Sequence, residues 1–411
     1  MRHGGAGRTR RPGEGPERGS TADPARVLFV DHEVRLSGGQ QDLVDLVSAL
    51  DPAGVDVHVA LPGEGPLERA LGAAGATVHR LPMASSLRRL SRWRLRRRHL
   101  ARHAASYALA AVQLGAMIRR LEPDVVHTNS MKAHFVAAIP ARLLGIPLVW
   151  HIRDILPHGW LRSALRMAGG LFPARIVCLS TAATEQFESC RARSKVRVVY
   201  NGIRLERFAR DPHPHWRARL GAANGEVMVG MIGQIARWKG QDVFLDAAAR
   251  IAASFPEARF VIVGECLFPE NEASFAASIT ERAHALGLDT RLRWLGWSDD
   301  VPGVMSALDI LVHASRLPEP FGRVLVEGMA AGKPVITTAV GAGPEIVPHE
   351  AGALVPPGNP EALAGALETL IRSPQTRRRC GEAARRASAR FSIGETARDI
   401  TALYSEIIAC G

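Results

Sequence analysis

Short apolar runs alternate with longer helical patterns along most of the chain. In the first half, apolar runs typical of strands cover residues 27–30, 55–60, 77–81, 125–127, 148–151, 176–179 and 196–199. The helical patterns between these runs include residues 39–50, 106–121 and 133–144. This alternation predicts a parallel β-sheet that is covered by helices on both faces.

A second series of the same kind follows a proline-rich polar stretch at residues 211–215. Its predicted strands cover residues 228–232, 259–263, 291–295, 310–313, 335–338 and 353–355, and its helical patterns include residues 241–253, 272–286 and 361–372. We therefore predict an α/β protein with two doubly wound, Rossmann-like domains, residues 25–205 and 226–391, joined by a linker at residues 206–225. A cleft between two such domains is a common place for ligand sites.

The composition fits a globular protein of two or three domains, because 46% of the 411 residues are hydrophobic and 22% are charged. No apolar run approaches the ~18 residues that a membrane-spanning helix needs. Residues 1–24 are rich in Gly, Arg and Pro and lack the apolar stretch of a signal peptide, so we expect a disordered basic tail and a cytoplasmic protein. The five cysteines are scattered, which disfavours a disulfide framework or a metal knuckle.

The net charge of +12 suggests an anionic partner, such as a nucleic acid, a membrane surface or a phosphorylated substrate. Eight arginines crowd into residues 87–103, with Trp93 and four leucines between them. On a helix these arginines would lie nearly all round, so a clean amphipathic membrane helix is not indicated. A flexible basic loop attracted to anionic lipid or to an acceptor phosphate, and an ordinary solvated loop, both remain open. Nucleic-acid binding is disfavoured because this segment has a single aromatic residue.

Two glutamates eight residues apart, Glu319 and Glu327, form the most informative pattern in the chain. A Pro–Gly turn signal between them, and a glycine just after residue 331, predict a helix at residues 324–331. Glu319 should therefore lie in the loop after the strand at residues 310–313, and Glu327 about two turns into the following helix. Carboxylates there can accept hydrogen bonds from ribose or sugar hydroxyls, although the spacing fits a solvated and a capping glutamate equally well.

The chain has no G-x-G-x-x-G, no Walker A loop and no Asp-x-Asp pair, so no divalent-metal clamp for a diphosphate is indicated. A bound diphosphate would then rely on cationic side chains and backbone N–H groups. Lys239 opens the helix predicted at residues 241–253 and suits this task. Gly38 and Gly39, between the first predicted strand and helix, would let a ligand approach the backbone closely.

Seven segments occur in the order found in the retaining glycosyltransferases of family four, which the sequence resembles from Val27 to its C-terminus. The segments are residues 37–39, 124–130, 149–154, 199–203, 233–240, 319–327 and 341–345. Each motif alone is weak evidence for this family, whereas the set in this order is specific for it. The resemblance implies the GT-B arrangement, in which the last helix, here within residues 392–411, crosses back to the first domain.

The resemblance also implies roles for single residues in binding the donor. Lys239 would bind the diphosphate as a catalytic cation. The family places an arginine directly after the glycine that matches Gly233, and this chain has Gln234 there. That departure puts the usual pair of cations in doubt, and Arg237 is the candidate substitute.

By the same resemblance, His151 would lie beside the donor sugar and contact its hydroxyls near the anomeric carbon. Glu319 would hold hydroxyls of the transferred sugar, and Glu327 would accept the ribose hydroxyls. Further candidates are the backbone N–H groups of Phe321, Gly322 and Arg323 and, more weakly, the side chains of His127, Asp154 and Glu345.

We therefore expect a metal-independent, retaining glycosyltransferase without a cofactor. It would move a sugar from a UDP- or GDP-sugar to a lipid-linked or polysaccharide acceptor, in the cytoplasm or peripherally on the inner membrane face. The alternatives are a nucleotide-sugar epimerase of similar shape, a phosphorylase that uses pyridoxal phosphate, and a basic protein that binds nucleic acid or a membrane surface without catalysis. Release of free nucleoside diphosphate with an acceptor, absorbance of a bound aldehyde, and salt-dependent DNA binding would separate them.

Overall fold

A computed structural model describes residues 23–84, 97–209, 214–267 and 269–410. All but the last two residues of the predicted basic tail lie outside these ranges, as do residues 87–96 of the arginine-rich segment. The predictions for those residues therefore stay predictions.

Seven parallel strands form the first sheet, in the order β3-β2-β1-β4-β5-β6-β7. They are β1 (Ala25–Val30), β2 (Val55–Leu61), β3 (Thr77–Arg80), β4 (Val125–Thr128), β5 (Leu148–Ile152), β6 (Arg175–Cys178) and β7 (Val196–Val198). Helices α1 (Gly38–Ala49) and α2 (Pro66–Ala73) pack on one face. Helices α3 (Arg97–Leu121), α4 (Met131–Leu143) and α5 (Trp160–Leu171) pack on the other face. The central strands β1, β4, β5 and β6 are therefore largely buried, whereas the edge strands β3 and β7 are mostly not.

Six parallel strands form the second sheet, in the order β10-β9-β8-β11-β12-β13. They are β8 (Val227–Ile232), β9 (Ala258–Val263), β10 (Leu292–Gly296), β11 (Ile310–His313), β12 (Val335–Thr338) and β13 (Gly352–Val355). Helix α6 (Thr181–Thr184) lies between β6 and β7 of the first domain. The helices that follow β7 are α7 (Pro214–Arg219), α8 (Gln241–Ala252), α9 (Pro269–Ala285), α10 (Val301–Ala307), α11 (Arg323–Ala330), α12 (Gly343–Ile346), α13 (Pro360–Arg372) and α14 (Pro374–Ser388). Two cores sandwich this sheet, so the predicted pair of doubly wound α/β domains is confirmed.

The last helix, α15 (Ile393–Ala409), leaves the second domain and packs against the first sheet. Ile400, Leu403 and Tyr404 are buried in the same core as α1 and the centre of the first sheet. The chain thus crosses back to the first domain, as the resemblance implied.

Two elements differ from the predicted pattern. Helix α3 begins at Arg97 rather than near residue 106, because Arg and Leu favour helix and extend it into the arginine-rich segment. Helix α7 lies within the predicted linker, and Trp216 and Leu220 are buried in a core of the second domain. No helix in the described ranges is long and apolar enough to cross a membrane. The predicted cytoplasmic location stays a prediction.

Each sheet reverses its direction of growth at one point, between β1 and β4 in the first sheet and between β8 and β11 in the second. Ligands of open α/β sheets bind outside the carboxyl ends of the strands at such points. The loops after β1, β4, β8 and β11 face one another across the space between the domains.

Candidate active site

A cleft of about 1900 Å³ lies between the carboxyl ends of the two sheets. Loops of both domains line it, and they include nearly all of the motifs singled out in the sequence. A pocket for one small ligand typically has roughly 300–1,000 Å³, so this cleft has room for two substrates side by side.

The wall contributed by the second domain centres on the carboxylate of Glu319, which lies in the loop after β11 as predicted. Lys239 Nζ donates to both Glu319 oxygens at 2.9 Å. His313 Nε2 donates to Glu319 Oε1 at 2.7 Å, and Ser315 Oγ donates to the same oxygen. Burial alone would raise the pKa of Glu319, but Lys239 and His313 hold it well below its ordinary value. Glu319 is therefore ionised on the cleft wall.

A glycine sets the distance between Lys239 and Glu319. Gly240 has a φ of +79°, and a Cβ at this position would lie 2.1 Å from the carbonyl oxygen of Ala314. This close approach holds the loop after β8 against the loop after β11. A side chain at residue 240 would force the two loops apart and separate the ion pair.

Glu327 is the fifth residue of α11, just over one turn from the start of the helix at Arg323, and not two turns in as predicted. Its side chain lines the cleft although it is largely buried. Arg323 Nε donates to Glu327 Oε1 at 2.7 Å. Burial raises the pKa of Glu327 despite this partner, and the nearby carboxylates of Asp42 and Asp45 add to the effect.

Arg323 links the two domains through ion pairs. Its Nη1 donates to Asp42 at 2.6 Å and its Nη2 donates to Asp45 at 2.7 Å, both on α1 of the first domain. Arg153 also donates to Asp42, at 2.8 Å. The sequence analysis missed Asp42 and Asp45. Two carboxylates three residues apart in an otherwise apolar stretch of helix were the available signal.

The two strand histidines do not reach the cleft surface. His151 is 1% exposed and His127 is fully buried, because both point to the sheet face that α15 covers. The His151 ring therefore lies behind the cleft surface, and its predicted role beside the donor sugar stays a prediction. Arg153 and Asp154, just beyond the strand, line the cleft instead.

The buried histidines form a chain of hydrogen bonds with Tyr404. The distances are 2.6 Å from Tyr404 Oη to His127 Nδ1 and 3.2 Å from His127 Nε2 to His151 Nδ1. His151 Nε2 has no partner among the described residues. If Tyr404 donates to His127 and His127 donates to His151, the only unpaired hydrogen among these three groups is the one on His151 Nε2. If donation ran in the reverse direction, His151 Nε2 would still lack a partner and the Tyr404 proton would lack one as well. Burial lowers the pKa of His127 to about 3, so the ring is neutral.

Two other predicted residues lie away from the cleft. The Arg237 guanidinium stacks over the Phe275 ring, 5.1 Å from its centroid, and does not line the cleft. Its role as the substitute for the missing arginine stays a prediction. Glu345 instead joins the domains. It accepts hydrogen bonds from the backbone N–H of Thr181 at 2.9 Å and from Tyr200 Oη at 2.6 Å.

The remaining candidates line the cleft. They are Gly38, Gly39, Asp154, Gly233, Gln234, Phe321 and Gly322. Gly322 is the N-cap of α11 with a φ of +89° and offers no capping side chain, so the first N–H groups of this helix are left for a ligand. Among the described residues, no group of three His, Cys, Asp or Glu side chains is placed to hold a metal ion.

Solved structures of similar shape include HepE of Anabaena in complex with UDP-glucose. The two chains are 27% identical and superpose with a TM-score of 0.79, which covers 93% of this chain and 99% of HepE. HepE structures with UDP, and with UDP and glucose, match at 28% identity. The similarity over nearly the whole length confirms the GT-B fold.

Curated relatives are similar over shorter stretches. Spore coat protein SA of Bacillus subtilis is 28% identical over 242 residues, which are 54% of this chain and 61% of that protein. The lipopolysaccharide core biosynthesis mannosyltransferase LpsB of Rhizobium meliloti is 26% identical over 290 residues, which are 63% of this chain and 80% of LpsB. The chain thus spans about three fifths of the length of spore coat protein SA.

The two halves of the chain match family descriptions separately. Residues 36–207 match Glycosyltransferase Family 4, and residues 213–387 match Glycosyl transferases group 1. The first match covers the domain that carries Asp42 and Arg153, and the second covers the domain that carries Lys239, Glu319 and Glu327. With its GT-B fold and its ordered motifs, the chain belongs to the group 1 glycosyltransferases of the family 4 type.

Proposed function

We propose that this enzyme transfers a sugar from a UDP-sugar to a lipid-linked or polysaccharide acceptor, with retention of configuration and without a metal ion or an organic cofactor. The observation that carries the proposal is the Lys239–Glu319 ion pair on the cleft wall, with Glu327 of α11 lining the same cleft. These groups supply the cation and the hydrogen-bond acceptors that the diphosphate, the sugar and the ribose of one donor molecule need.

UDP is favoured over GDP because HepE, which is similar over its whole length, has been solved with UDP and with UDP-glucose. In this chain Glu327 would accept the ribose hydroxyls through the oxygen that Arg323 leaves unpaired. The first N–H groups of α11 and the Lys239 ammonium would hold the diphosphate.

Charge on the leaving diphosphate sets the main catalytic task. The bond from the anomeric carbon to the phosphate oxygen breaks with its electron pair on the phosphate, which Lys239 stabilises. The acceptor oxygen forms its bond on the same face of the sugar, and its proton passes to the leaving phosphate oxygen. Glu319 orients the sugar hydroxyls during this exchange, since it is ionised and accepts hydrogen bonds only.

A thermal-shift screen with EDTA tests the donor proposal. UDP, GDP and a panel of their sugars would be compared at concentrations near millimolar, because a ligand that binds only the folded state raises Tm. We expect the UDP series to raise Tm and the GDP series to do so less. A shift that depends on added metal, or no shift with either series, would contradict the proposal.

The epimerase alternative is separated by its products. A transferase releases UDP in proportion to the acceptor that is glycosylated, whereas an epimerase converts the donor and keeps the sugar attached to UDP. Chromatography of the nucleotide pool, with and without a polysaccharide or lipid-linked acceptor, distinguishes the two outcomes.

A further inference from the structure

The guanidinium of Arg323 uses all of its nitrogens in ion pairs. Its Nε donates to Glu327 Oε1 at 2.7 Å within α11. Its Nη1 donates to Asp42 at 2.6 Å and its Nη2 to Asp45 at 2.7 Å, both on α1 of the first domain. The arginine side chain is largely shielded from water. One cation thus connects the glutamate proposed for the ribose with two carboxylates of the other domain.

The two carboxylates on α1 are themselves held in place. Asp42 Oδ2 accepts hydrogen bonds from Arg153 at 2.8 Å and from Asn201 at 2.7 Å, both in the first domain. Asp45 Oδ1 lies 3.5 Å from Arg204 Nη2, and both aspartates are buried. In each aspartate the other carboxylate oxygen is the one that faces α11. The two aspartates are therefore fixed anchors for the cation between the domains.

These anchors decide how much of Glu327 remains for a ligand. An arginine beside a single carboxylate favours a bidentate pair, which occupies both oxygens. Here the two Nη groups of Arg323 donate to α1, so only Nε donates to Glu327 and only Oε1 is occupied. Glu327 Oε2 has no hydrogen-bond partner in the part of the chain that the structure describes, and this glutamate lines the cleft.

We infer that Asp42 and Asp45 are positioning residues for the donor site, because they hold the Arg323 guanidinium so that Glu327 keeps one oxygen for the ribose hydroxyls. Without these anchors the guanidinium would turn towards Glu327, pair with both oxygens and compete with the ribose. Affinity for the ribose is then set partly by the first domain, although Glu327 belongs to the second. The inference rests on the proposed function, in which Glu327 binds the ribose.

Other contacts already join the two domains. Glu345 of the second domain accepts hydrogen bonds from the backbone N–H of Thr181 at 2.9 Å and from Tyr200 Oη at 2.6 Å. Ser180 Oγ donates to the carbonyl oxygen of Pro320 at 2.6 Å, and α15 crosses back to the first domain. Buried ion pairs add little net stability compared with apolar packing. The concentration of charge around α1 and α11 therefore favours a positioning role over a merely structural one.

Isothermal titration with UDP and with 2′,3′-dideoxy-UDP, in the presence of EDTA, tests the inference. The second nucleotide lacks both ribose hydroxyls, so it reports every contact of UDP except the one proposed for Glu327. The first test variant is Asp42→Asn/Asp45→Asn, which removes the charge of the anchors and keeps their shape. The second is Arg323→Lys, which keeps the positive charge but lacks the planar fork that reaches both helices.

We expect the wild type to bind UDP about tenfold more tightly than 2′,3′-dideoxy-UDP, because two hydrogen bonds to the ribose are at stake. In both test variants this ratio should fall to about one through weaker binding of UDP, with the affinity for 2′,3′-dideoxy-UDP within about twofold of the wild type. The matched control is Asp309→Asn, a carboxylate of the second domain that is paired with Arg217 at 3.0 Å outside the cleft. This control should keep the wild-type ratio.

A wild-type ratio that survives in the folded test variants would overturn the inference, even if both affinities fall, because the network would then only support the fold. Equal binding of both nucleotides by the wild type would also overturn it, since Glu327 would then not contact the ribose, while the UDP site itself would stand. No binding of UDP by the wild type would overturn the donor proposal and the inference with it. If the double variant does not fold, Arg323→Lys alone decides among these outcomes.

Discussion

The two walls of the cleft differ in chemistry. The second domain contributes Lys239, Glu319 and Glu327, which are charged groups in short, mutually paired contacts. The first domain contributes aromatic side chains, such as Tyr107 and Phe135, among many polar and charged ones that include Asp42 and Arg153. The second wall suits the diphosphate and hydroxyls of a nucleotide sugar, and the mixed first wall suits an acceptor with both polar and apolar parts.

From this difference we expect the second domain to set the donor specificity and the first domain to set the acceptor specificity. Charged groups on the second wall are held in place by backbone features, such as the close approach at Gly240, and by each other. The first wall is joined to them through Arg323, Asp42 and Asp45, which span the domain boundary. Substitutions of the charged groups on the second wall should therefore act on donor binding.

The largest effect is expected for Lys239→Ala, which removes the cation from the charged wall. Under the proposed function Lys239 stabilises the leaving diphosphate, so its loss should lower turnover about 100-fold or more. The slow hydrolysis of UDP-glucose without acceptor, followed by UDP release, measures it. Arg237→Ala is the matched control, because this arginine is two residues away but stacks on Phe275 outside the cleft. Equal losses in both variants would show that Lys239 has no special role.

Glu319→Gln should cost stability in a pH-dependent way. The pKa of Glu319 is lowered on folding, so its ionisation stabilises the folded state above its ordinary value of 4.5 and this contribution is lost as the pH falls below it. Removing one partner of a buried ion pair should lower the free energy of unfolding by about 3 kcal/mol at neutral pH.

Urea unfolding of the wild type and of Glu319→Gln, at neutral pH and at acidic pH, checks this sign. The difference in free energy of unfolding should shrink as the pH falls. A difference that is the same at both pH values would mean that the charge of Glu319 does not contribute.

Glu327→Ala should weaken donor binding with a smaller effect on turnover. Loss of two hydrogen bonds to ribose corresponds to roughly a tenfold rise in the donor KM. Arg323 keeps Asp42 and Asp45 as partners in this variant, so the domains stay joined. A fall in kcat with an unchanged KM would place Glu327 at the reacting bond instead of at the nucleotide.

The smallest effect is expected for Tyr404→Phe on the first domain. Phe fills the same space but removes the proton donor of the buried histidine chain, which should cost about 1 kcal/mol of stability. Nitrogen-15 NMR of the histidines should show the proton of His151 on Nε2 in the wild type and a mixture of tautomers in the variant. A wild-type His151 that carries its proton on Nδ1 would contradict the direction of donation.

Much of the fold followed from local pattern. Apolar runs bounded by turn residues predicted the strands of both sheets, and the Pro–Gly signals around Glu319 placed it in the loop after β11. Lys239 and Glu319 were predicted because their motifs are contiguous in sequence. The ion pair between them was not predicted, because it depends on how Gly240 packs against Ala314.

Side-chain positions that depend on non-local contacts could not be predicted. His151 was placed in the site by its position at a strand end, but the direction of its side chain depends on which sheet face α15 covers. Arg237 was expected to reach a phosphate, and Phe275 on a different helix holds it elsewhere. Asp42 and Asp45 were missed because their partner Arg323 is about 280 residues away in the sequence. A single sequence does not show such pairings.

Isothermal titration of UDP in the presence of EDTA tests the central claim most directly, with the wild type, Lys239→Ala and Arg237→Ala compared in the same buffer. The account predicts metal-free binding by the wild type and Arg237→Ala, and binding that is at least about tenfold weaker in Lys239→Ala. Binding that requires a divalent metal ion, or equal affinity in all three proteins, would contradict it.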